Sequence, residues 1–341
     1  MIWLGQVAGG RDNNFNLIRI VAASAVLVSH AWPLTRGSGT PEPLQTLTGY
    51  SLGTLAVYVF FALSGFFISA SFSSKTATAF VRARCLRLFP GLAVSLLFVV
   101  LVLGPLVTTL PPARYLTDIG TWTFLLRNIT LVWAQYTLPG VFAANPFPAV
   151  EGSIWTLIHE ILCYALVFMA GVSGLLRRRG LMTVGIALYA GLWLFPVSQS
   201  LHPKLMQFQD LSLPFVLGMA FWLWRDRIPL SLWGVVALAV LVHATAATPL
   251  GHPALMMLLT YGCFWLGHVP GGLVRRYNAF GDYSYGMYIY AFPLQGAVVW
   301  LFGPLTPNLH IVLVFPLVLL ASVLSWRLAE APAMRLRGRA T

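Results

Sequence analysis

Residues 53–72 read GTLAVYVFFALSGFFISASF, an uninterrupted run without a charged side chain. An α-helix rises about 1.5 Å per residue, so roughly 20 apolar residues are needed to cross the hydrocarbon core of a bilayer. The run has that length and contains no proline. It therefore predicts a membrane-spanning helix.

Similar apolar segments recur along the whole chain. Hydrophobic residues make up 58% of the 341 residues and charged residues only 9%, whereas soluble domains carry roughly 25% charged residues. Candidate spans, some of them short, are found at residues 15–34, 53–72, 88–110, 153–171, 181–198, 211–224, 229–246, 253–269, 285–303 and 309–329. We expect an all-α, polytopic transmembrane helical bundle of about ten spans, organised as one integral-membrane domain over residues 1–341.

The basic residues predict the orientation of this bundle. The net charge of +12 could suggest a nucleic-acid partner, but the positions of the charges favour a membrane topology. If the N-terminus is cytoplasmic, the inside segments hold fifteen basic residues: Arg11, Lys75, Arg82, Arg84, Arg87, Arg177, Arg178, Arg179, Arg225, Arg227, Arg275, Arg276, Arg335, Arg337 and Arg339. The outside segments hold four: Arg36, Arg114, Arg127 and Lys204. This bias predicts both termini in the cytoplasm and no nucleic-acid partner.

Two ionisable residues lie inside the first predicted span. Arg19 and His30 are eleven residues apart, which is about three helical turns, so they share one helix face roughly 16 Å apart along the axis. An imidazole titrates near neutrality and can take a proton from an attacking hydroxyl. His30 is thus a candidate general base. A histidine at the membrane interface and a snorkelling arginine are the alternatives.

The fourth predicted span carries a carboxylate at a similar depth. Glu160 lies about two turns inside this span, and it could orient and charge-stabilise His30. A structural carboxylate is the alternative. The neighbouring His159 points roughly 100° away around the helix, and a structural role is favoured for it.

Charged residues also flank two predicted spans on the cytoplasmic side. Arg82, Arg84 and Arg87 follow the second span, where guanidinium groups could bind phosphates, although positive-inside topology alone explains such a cluster. Near the end of the last span, Arg327 and Glu330 are three residues apart and are expected to form a structural pair. Three separated cysteines (Cys85, Cys163 and Cys263) suggest neither a disulfide framework nor a metal site.

Several motifs resemble acyltransferase family 3, the bacterial membrane acyltransferases that modify sugars and other acceptors. The resemblance covers nearly the whole chain. It rests on Arg19 and His30 at an R-x10-H spacing, FFALSGFFI at 60–68, the Arg82/Arg84/Arg87/Pro90 segment, GSIWTL at 152–157 followed by Glu160, YSYGMY at 283–288, and EAP at 330–332. Two positions depart from the family pattern. Ala291 stands where many members have histidine, and Glu151 stands where polysaccharide-modifying members often carry asparagine.

The resemblance implies roles for these residues. Acyl-CoA, commonly acetyl-CoA, would be the donor co-substrate, with its phosphates on Arg82, Arg84 and Arg87. Arg19 would contact the donor or the developing oxyanion, and His30 with Glu160 would activate the acceptor hydroxyl. The same motifs supply Trp155 and Tyr288 as candidate substrate-binding residues. Ser64 is an alternative acyl carrier, although a small residue in helix packing is favoured.

The resemblance also implies the acceptor and the location. We expect a multi-pass protein of the bacterial inner membrane that acylates a cell-surface polysaccharide or lipid-linked glycan, such as O-antigen or exopolysaccharide. Two alternatives stay open: a proton-coupled transporter or flippase that uses the same buried charges as a relay, and an acyltransferase acting on a small molecule or glycolipid.

Overall fold

The structure, a computed structural model, describes residues 2–10, 12–194 and 202–338. It is 77% helical, which confirms the all-α prediction. Its strands are β1 (Ile2–Trp3) and β2 (Pro229–Leu230), which pair antiparallel with Ile2 opposite Leu230.

The helices of the N-terminal half are α1 (Leu4–Val7), α2 (Phe15–Arg36), α3 (Pro43–Thr48), α4 (Leu52–Ser73), α5 (Ala77–Phe98), α6 (Gly104–Val107), α7 (Pro112–Thr117) and α8 (Ile119–Thr130). A π-helical turn at Val99–Leu103 joins α5 to α6. This turn keeps the chain helical throughout the apolar segment Ala77–Val107.

The helices of the C-terminal half are α9 (Trp155–Val172), α10 (Arg179–Gly191), α11 (Pro203–Leu223), α12 (Leu232–Thr245), α13 (Gly251–His268), α14 (Ser284–Phe302), α15 (Pro307–Ser325) and α16 (Ala331–Arg335). A π-helical turn at Trp326–Glu330 joins α15 to α16. Short 3₁₀ turns lie at Leu175–Arg177, Leu192–Leu194, Arg225–Arg227, Gly272–Ala279 and Leu336–Gly338.

Every predicted span overlaps a helix of the structure. Within the described residues, five helical segments are long and apolar enough to cross a membrane: Phe15–Arg36, Leu52–Ser73, Ala77–Val107, Trp155–Val172 and Pro307–Arg335. The total of about ten spans and the cytoplasmic placement of both termini stay predictions. Arg11, Arg339 and the end of the 181–198 window lie outside the described residues.

One predicted boundary is wrong by about three turns. The third span was expected to begin at residue 88, but α5 begins at Ala77, where the Thr76 hydroxyl accepts a hydrogen bond from the Ala79 amide (3.3 Å). A hydropathy window detects only the apolar part of a helix, and arginine is a good helix former. The arginine cluster therefore lies on the first turns of α5 and not in a connecting segment.

By its contacts the chain falls into two compact units. The first contains Met1–Arg19, Val57–Phe80 and His159–Phe280; the second contains Ile20–Ala56, Val81–Ile158 and Gly281–Thr341. Each unit thus combines three separate stretches of sequence. The expectation of a single membrane domain stays a prediction.

The first unit has an aromatic core in which two helices approach at backbone distance. Its buried cluster is formed by Leu4, Phe15, Leu63, Phe66, Phe221, Leu230, Tyr261, Cys263 and Phe264. A Cβ atom at Gly65 of α4 would lie 1.9 Å from the carbonyl oxygen of Phe215, and one at Gly218 of α11 would lie 2.0 Å from the carbonyl oxygen of Ala62. Small residues at such crossings let membrane helices pack closely.

We expect the substitution Gly65→Ala to destabilise the protein. The added methyl group would overlap the Phe215 carbonyl, and overpacking of this kind typically costs about 1–3 kcal/mol. The midpoint of thermal unfolding in detergent should fall. Gly262→Ala on α13 is the matched control, because no atom lies within 4 Å of its added Cβ and alanine favours helix. Equal midpoints for the two variants would contradict the close approach.

In the second unit, α14 holds the irregular segment that leads into α9. The Tyr288 hydroxyl donates to the carbonyl oxygen of Ser153 (2.8 Å) and hydrogen-bonds the Thr156 hydroxyl (2.6 Å). On the preceding side, the amides of Val150 and Glu151 both donate to the carbonyl oxygen of Tyr136 (2.7 and 3.3 Å). The stretch that leads into α9 is therefore fixed at both ends.

Candidate active site

Helix α2 carries both Arg19 and His30, so the structure confirms that the two residues lie on one continuous helix. Arg19 belongs to the first unit and His30 to the second. The guanidinium carbon of Arg19 lies 5.2 Å from the centroid of the Phe67 ring, a cation–π distance. This aromatic contact helps to hold a charge within an apolar helix.

The imidazole of His30 is held by an aromatic ring and has an unused nitrogen. The ring meets Phe292 edge-on, with centroids 5.2 Å apart. Its Nδ1 atom is buried and has no hydrogen-bond partner within the described part of the chain. An unsatisfied buried polar group costs about 1–3 kcal/mol. His30 thus has hydrogen-bonding capacity for a group from outside the chain.

Glu160 is anchored within the first unit. Its carboxylate accepts hydrogen bonds from the Ser64 hydroxyl (3.3 Å) and from the Tyr164 hydroxyl. Ser64 therefore has a structural hydrogen bond, and its favoured role as a small residue in helix packing stays a prediction. The expected pairing of Glu160 with His30 stays a prediction, because the two residues belong to different units.

His159 is buried beside an aromatic ring. It is only 7% exposed, and its ring stacks on that of Phe208 with centroids 6.1 Å apart. This environment favours the structural role expected for His159.

The three arginines on α5 differ in their surroundings. Arg82 is exposed and donates to the carbonyl oxygen of Leu336 (2.6 Å), whereas Arg84 is half-buried. Arg87 is ion-paired with two carboxylates, Asp282 at 2.6 Å and Glu330 at 3.3 Å. Binding of donor phosphates by the three residues stays a prediction, and Arg87 has the strongest structural role of the three.

Aromatic rings and hydroxyl groups complete the environment of Arg87. Its guanidinium carbon lies 5.6 Å from the centroid of the Tyr285 ring and 5.9 Å from that of Trp326. Ser284 donates to Asp282 (2.5 Å) and Ser325 donates to Glu330 (3.0 Å). Both carboxylates are thus satisfied by charge and by hydrogen bonds, as buried ionic groups require.

The predicted pair of Arg327 with Glu330 is wrong. Glu330 is 1% exposed and pairs with Arg87, whereas Arg327 is exposed. The reason is the π-helical turn at Trp326–Glu330. It widens the helix by one residue, so the spacing of three that brings side chains together on an α-helix does not apply here.

The two candidate substrate-binding residues border the irregular segment. Trp155 is the first residue of α9 and is partly buried. Tyr288 is buried, and its hydroxyl hydrogen-bonds the Ser153 carbonyl and the Thr156 hydroxyl. Tyr288 therefore positions this segment, and direct substrate contact by either residue stays a prediction.

A fully buried carboxyl group lies next to this segment. Glu151 is 0% exposed, and neither of its carboxyl oxygens has a hydrogen-bond partner among the residues the structure describes. Burial raises the pKa of Glu151 well above its ordinary value, because a charged carboxylate loses its hydration there. The same description, buried with an unpartnered oxygen, applies to Ser153 and Gln295.

A family model described as an acyltransferase domain, that of acyltransferase family 3, matches residues 12–327. The chain belongs to acyltransferase family 3. Together with the apolar helices described above, this family assignment identifies a multi-pass membrane acyltransferase.

Two curated proteins are similar to this family 3 acyltransferase along almost their full length. An O-acetyl transferase of Shigella phage Sf6 is 28% identical, over 94% of this chain and 95% of its own. Nodulation protein 10 of Rhizobium leguminosarum bv. viciae is also 28% identical, over 97% of this chain and 95% of its own. No solved structure matches the chain significantly.

Three buried polar residues of this acyltransferase could not be singled out from its sequence: Asp282, Gln295 and Ser325. Asp282 precedes the YSYGMY motif, and its pairing with Arg87 across 195 positions leaves no local pattern. Gln295 lies in an apolar helix, where a buried amide is itself a signal of function. Ser325 is one of many serines.

No group of three His, Cys, Asp or Glu residues in the described segments is placed to hold a metal.

Proposed function

We propose that this protein is an O-acyltransferase, most simply an O-acetyltransferase, that moves an acyl group from acyl-CoA to a hydroxyl group. Its family and the name of its phage relative support this activity. The observation that carries the proposal is His30, an imidazole in an apolar helix with a buried, unpartnered nitrogen in the described structure. A hydroxyl nucleophile needs such a base.

The proposed transfer is a single displacement at a thioester. The His30 imidazole takes the proton of the acceptor hydroxyl while the hydroxyl oxygen forms a bond to the acyl carbonyl carbon. The carbon–sulfur bond then breaks, and the leaving thiolate takes up the proton as free coenzyme A thiol. The oxyanion formed on the way needs a donor. Arg19 is the residue proposed for it, or for binding the donor, and Glu160 is proposed as the second catalytic group.

The donor and acceptor are proposed by chemical class. Arg82 and Arg84, with Arg87 as a third candidate, would bind the phosphates of a cytoplasmic acyl-CoA through guanidinium–phosphate hydrogen bonds. The acceptor would be a cell-surface polysaccharide such as O-antigen or exopolysaccharide, acylated at the bacterial inner membrane. A small molecule or a glycolipid is the alternative acceptor.

We expect purified protein to release thiol from acetyl-CoA in an acceptor-dependent manner. The measurement is thiol release in detergent, with and without de-O-acetylated surface polysaccharide, and detection of the new ester by mass spectrometry. Ester formation on a glycolipid fraction alone would change the acceptor class. Folded protein that releases no thiol with any acyl-CoA would contradict the proposed function.

A further inference from the structure

Four polar residues of the second unit lie near one phenylalanine, Phe292. The ring of Phe292 meets His30 edge-on at 5.2 Å, and it also lies within 2.3 Å of where a Cβ of Gly152 would be. Glu151 and Ser153 flank Gly152 in the chain. Both residues are therefore held next to the ring that contacts His30.

Gln295 joins this group from the next turn of α14. It follows Phe292 by three residues, so both project from the same side of the helix. Its side-chain nitrogen donates to the carbonyl oxygen of Leu27 (2.9 Å), and Leu27 lies one turn before His30 on α2. His30, Glu151, Ser153 and Gln295 thus lie close to Phe292 in space or along the chain, and we name these four residues the polar cluster.

The polar cluster has unused hydrogen-bonding atoms. These are His30 Nδ1, both carboxyl oxygens of Glu151, Ser153 Oγ and Gln295 Oε1, and none of them has a partner among residues 2–10, 12–194 and 202–338. Native proteins satisfy nearly all buried polar atoms. Several unpartnered atoms on four residues close to one ring therefore point to a binding site for a molecule from outside the chain.

The chemistry of these atoms defines the ligand. The amide oxygen can only accept, whereas the hydroxyl, the neutral imidazole and a protonated carboxyl can each donate or accept, so the ligand has to offer both donors and acceptors. A phosphate would bring further acceptors and negative charge toward the buried carboxyl group of Glu151. An acyl chain would bring no donors. A neutral molecule with several adjacent hydroxyl groups matches the polar cluster.

The backbone around Glu151 and Ser153 is fixed while their side chains stay unpaired. The Glu151 amide is bonded to Tyr136, and the Ser153 carbonyl is bonded to Tyr288. A binding group held this way loses little conformational freedom when its ligand arrives. A preorganised polar site requires a rigid backbone. Its side chains must also have hydrogen-bonding atoms left for the ligand.

We propose that Glu151, Ser153 and Gln295 bind the acyl acceptor as a neutral polyhydroxylated sugar ring, with one ring hydroxyl directed to His30. This inference rests on the proposed function. It assigns Glu151 as the residue that selects among sugar hydroxyl patterns.

The test uses the full-length protein in detergent with a methyl hexopyranoside as the acceptor probe. Glu151→Leu removes both carboxyl oxygens, and Gln295→Leu removes the amide oxygen. We expect each substitution to raise the KM for the pyranoside about tenfold or more, and the KM for acetyl-CoA by less than about twofold. Ser153→Ala should act in the same direction, because it removes a hydroxyl that meets the sugar.

The matched control is Ser95→Ala on α5. Ser95 is likewise a buried serine whose hydroxyl has no partner in the described structure, but it is not in the polar cluster. Its loss should leave the pyranoside KM unchanged. A merely structural effect of the missing hydroxyl would change both serine variants alike, and that result would overturn the proposal.

Sugar binding is also measured without turnover, as the rise of the unfolding midpoint at saturating pyranoside. We expect a rise for the wild type and for Ser95→Ala, and none for Glu151→Leu. Thiol release with wild-type KM values in the Glu151 and Gln295 variants would overturn the sugar site and leave the proposed function standing. If the unfolding midpoint rises with pyranoside only when Glu151 is present, but the protein releases no thiol, the sugar site would stand and the proposed function would be overturned.

Discussion

Replacement of His30 by alanine is expected to lower the rate of acyl transfer by about 10²–10⁴-fold, the usual contribution of a general base. The side chain touches Phe292, and its Nδ1 has no partner in the described structure, so its removal should cost little hydrogen bonding. The measurement is kcat for thiol release from acetyl-CoA at saturating acceptor. His243→Ala, an exposed histidine near the end of α12, is the matched control and should keep the wild-type rate.

A base can be distinguished from a structural histidine by chemical rescue. The alanine variant leaves space beside Phe292, and free imidazole that enters this space can accept the proton in place of the side chain. Partial recovery of kcat with increasing imidazole would support the role of His30 as the base. A variant that is folded, slow and unaffected by imidazole would show that His30 positions other groups, and the base would have to be sought elsewhere.

The helices could be predicted from the sequence because their signal is local. Apolar runs of spanning length fix each helix to within a few residues at Leu52–Ser73 and Ser284–Phe302. The errors occur where polar residues continue a helix, as at Ala77 of α5, since hydropathy carries no information there. Arg19 and His30 could be placed on one helix for the same local reason.

The partners of the buried charges could not be predicted in this way. Arg87 pairs with residues 195 and 243 positions away, and nothing in the local pattern selects them. The Arg327–Glu330 prediction assumed the side-chain spacing of an α-helix, and the π-helical turn at Trp326–Glu330 changes that spacing. Glu151 was visible as a departure from a motif, but only its unpartnered burial in the described structure makes it a candidate ligand group.

Replacement of Arg87 by alanine is expected to destabilise the protein by about 3–5 kcal/mol, because it removes the cation from a buried ionic group. Asp282 and Glu330 would be left as two neighbouring carboxylates, with side chains only 11% and 1% exposed. The free energy of unfolding is measured in detergent micelles by denaturant titration. Arg82→Ala is the control: Arg82 is exposed and bonds a single carbonyl group, so its loss should cost less than about 1 kcal/mol.

A double substitution identifies the cause of this loss. In a Glu330→Gln background one of the two carboxylate charges is already gone, so Arg87→Ala should cost less there, with a coupling of about 0.5–3 kcal/mol. The kinetics separate the three arginines further. If Arg82 and Arg84 bind donor phosphates, their alanine variants raise the KM for acetyl-CoA at unchanged stability. An Arg87 variant that behaves in the same way, with wild-type stability and a raised KM, would show that its guanidinium binds the donor and that the ion pair contributes little to the fold.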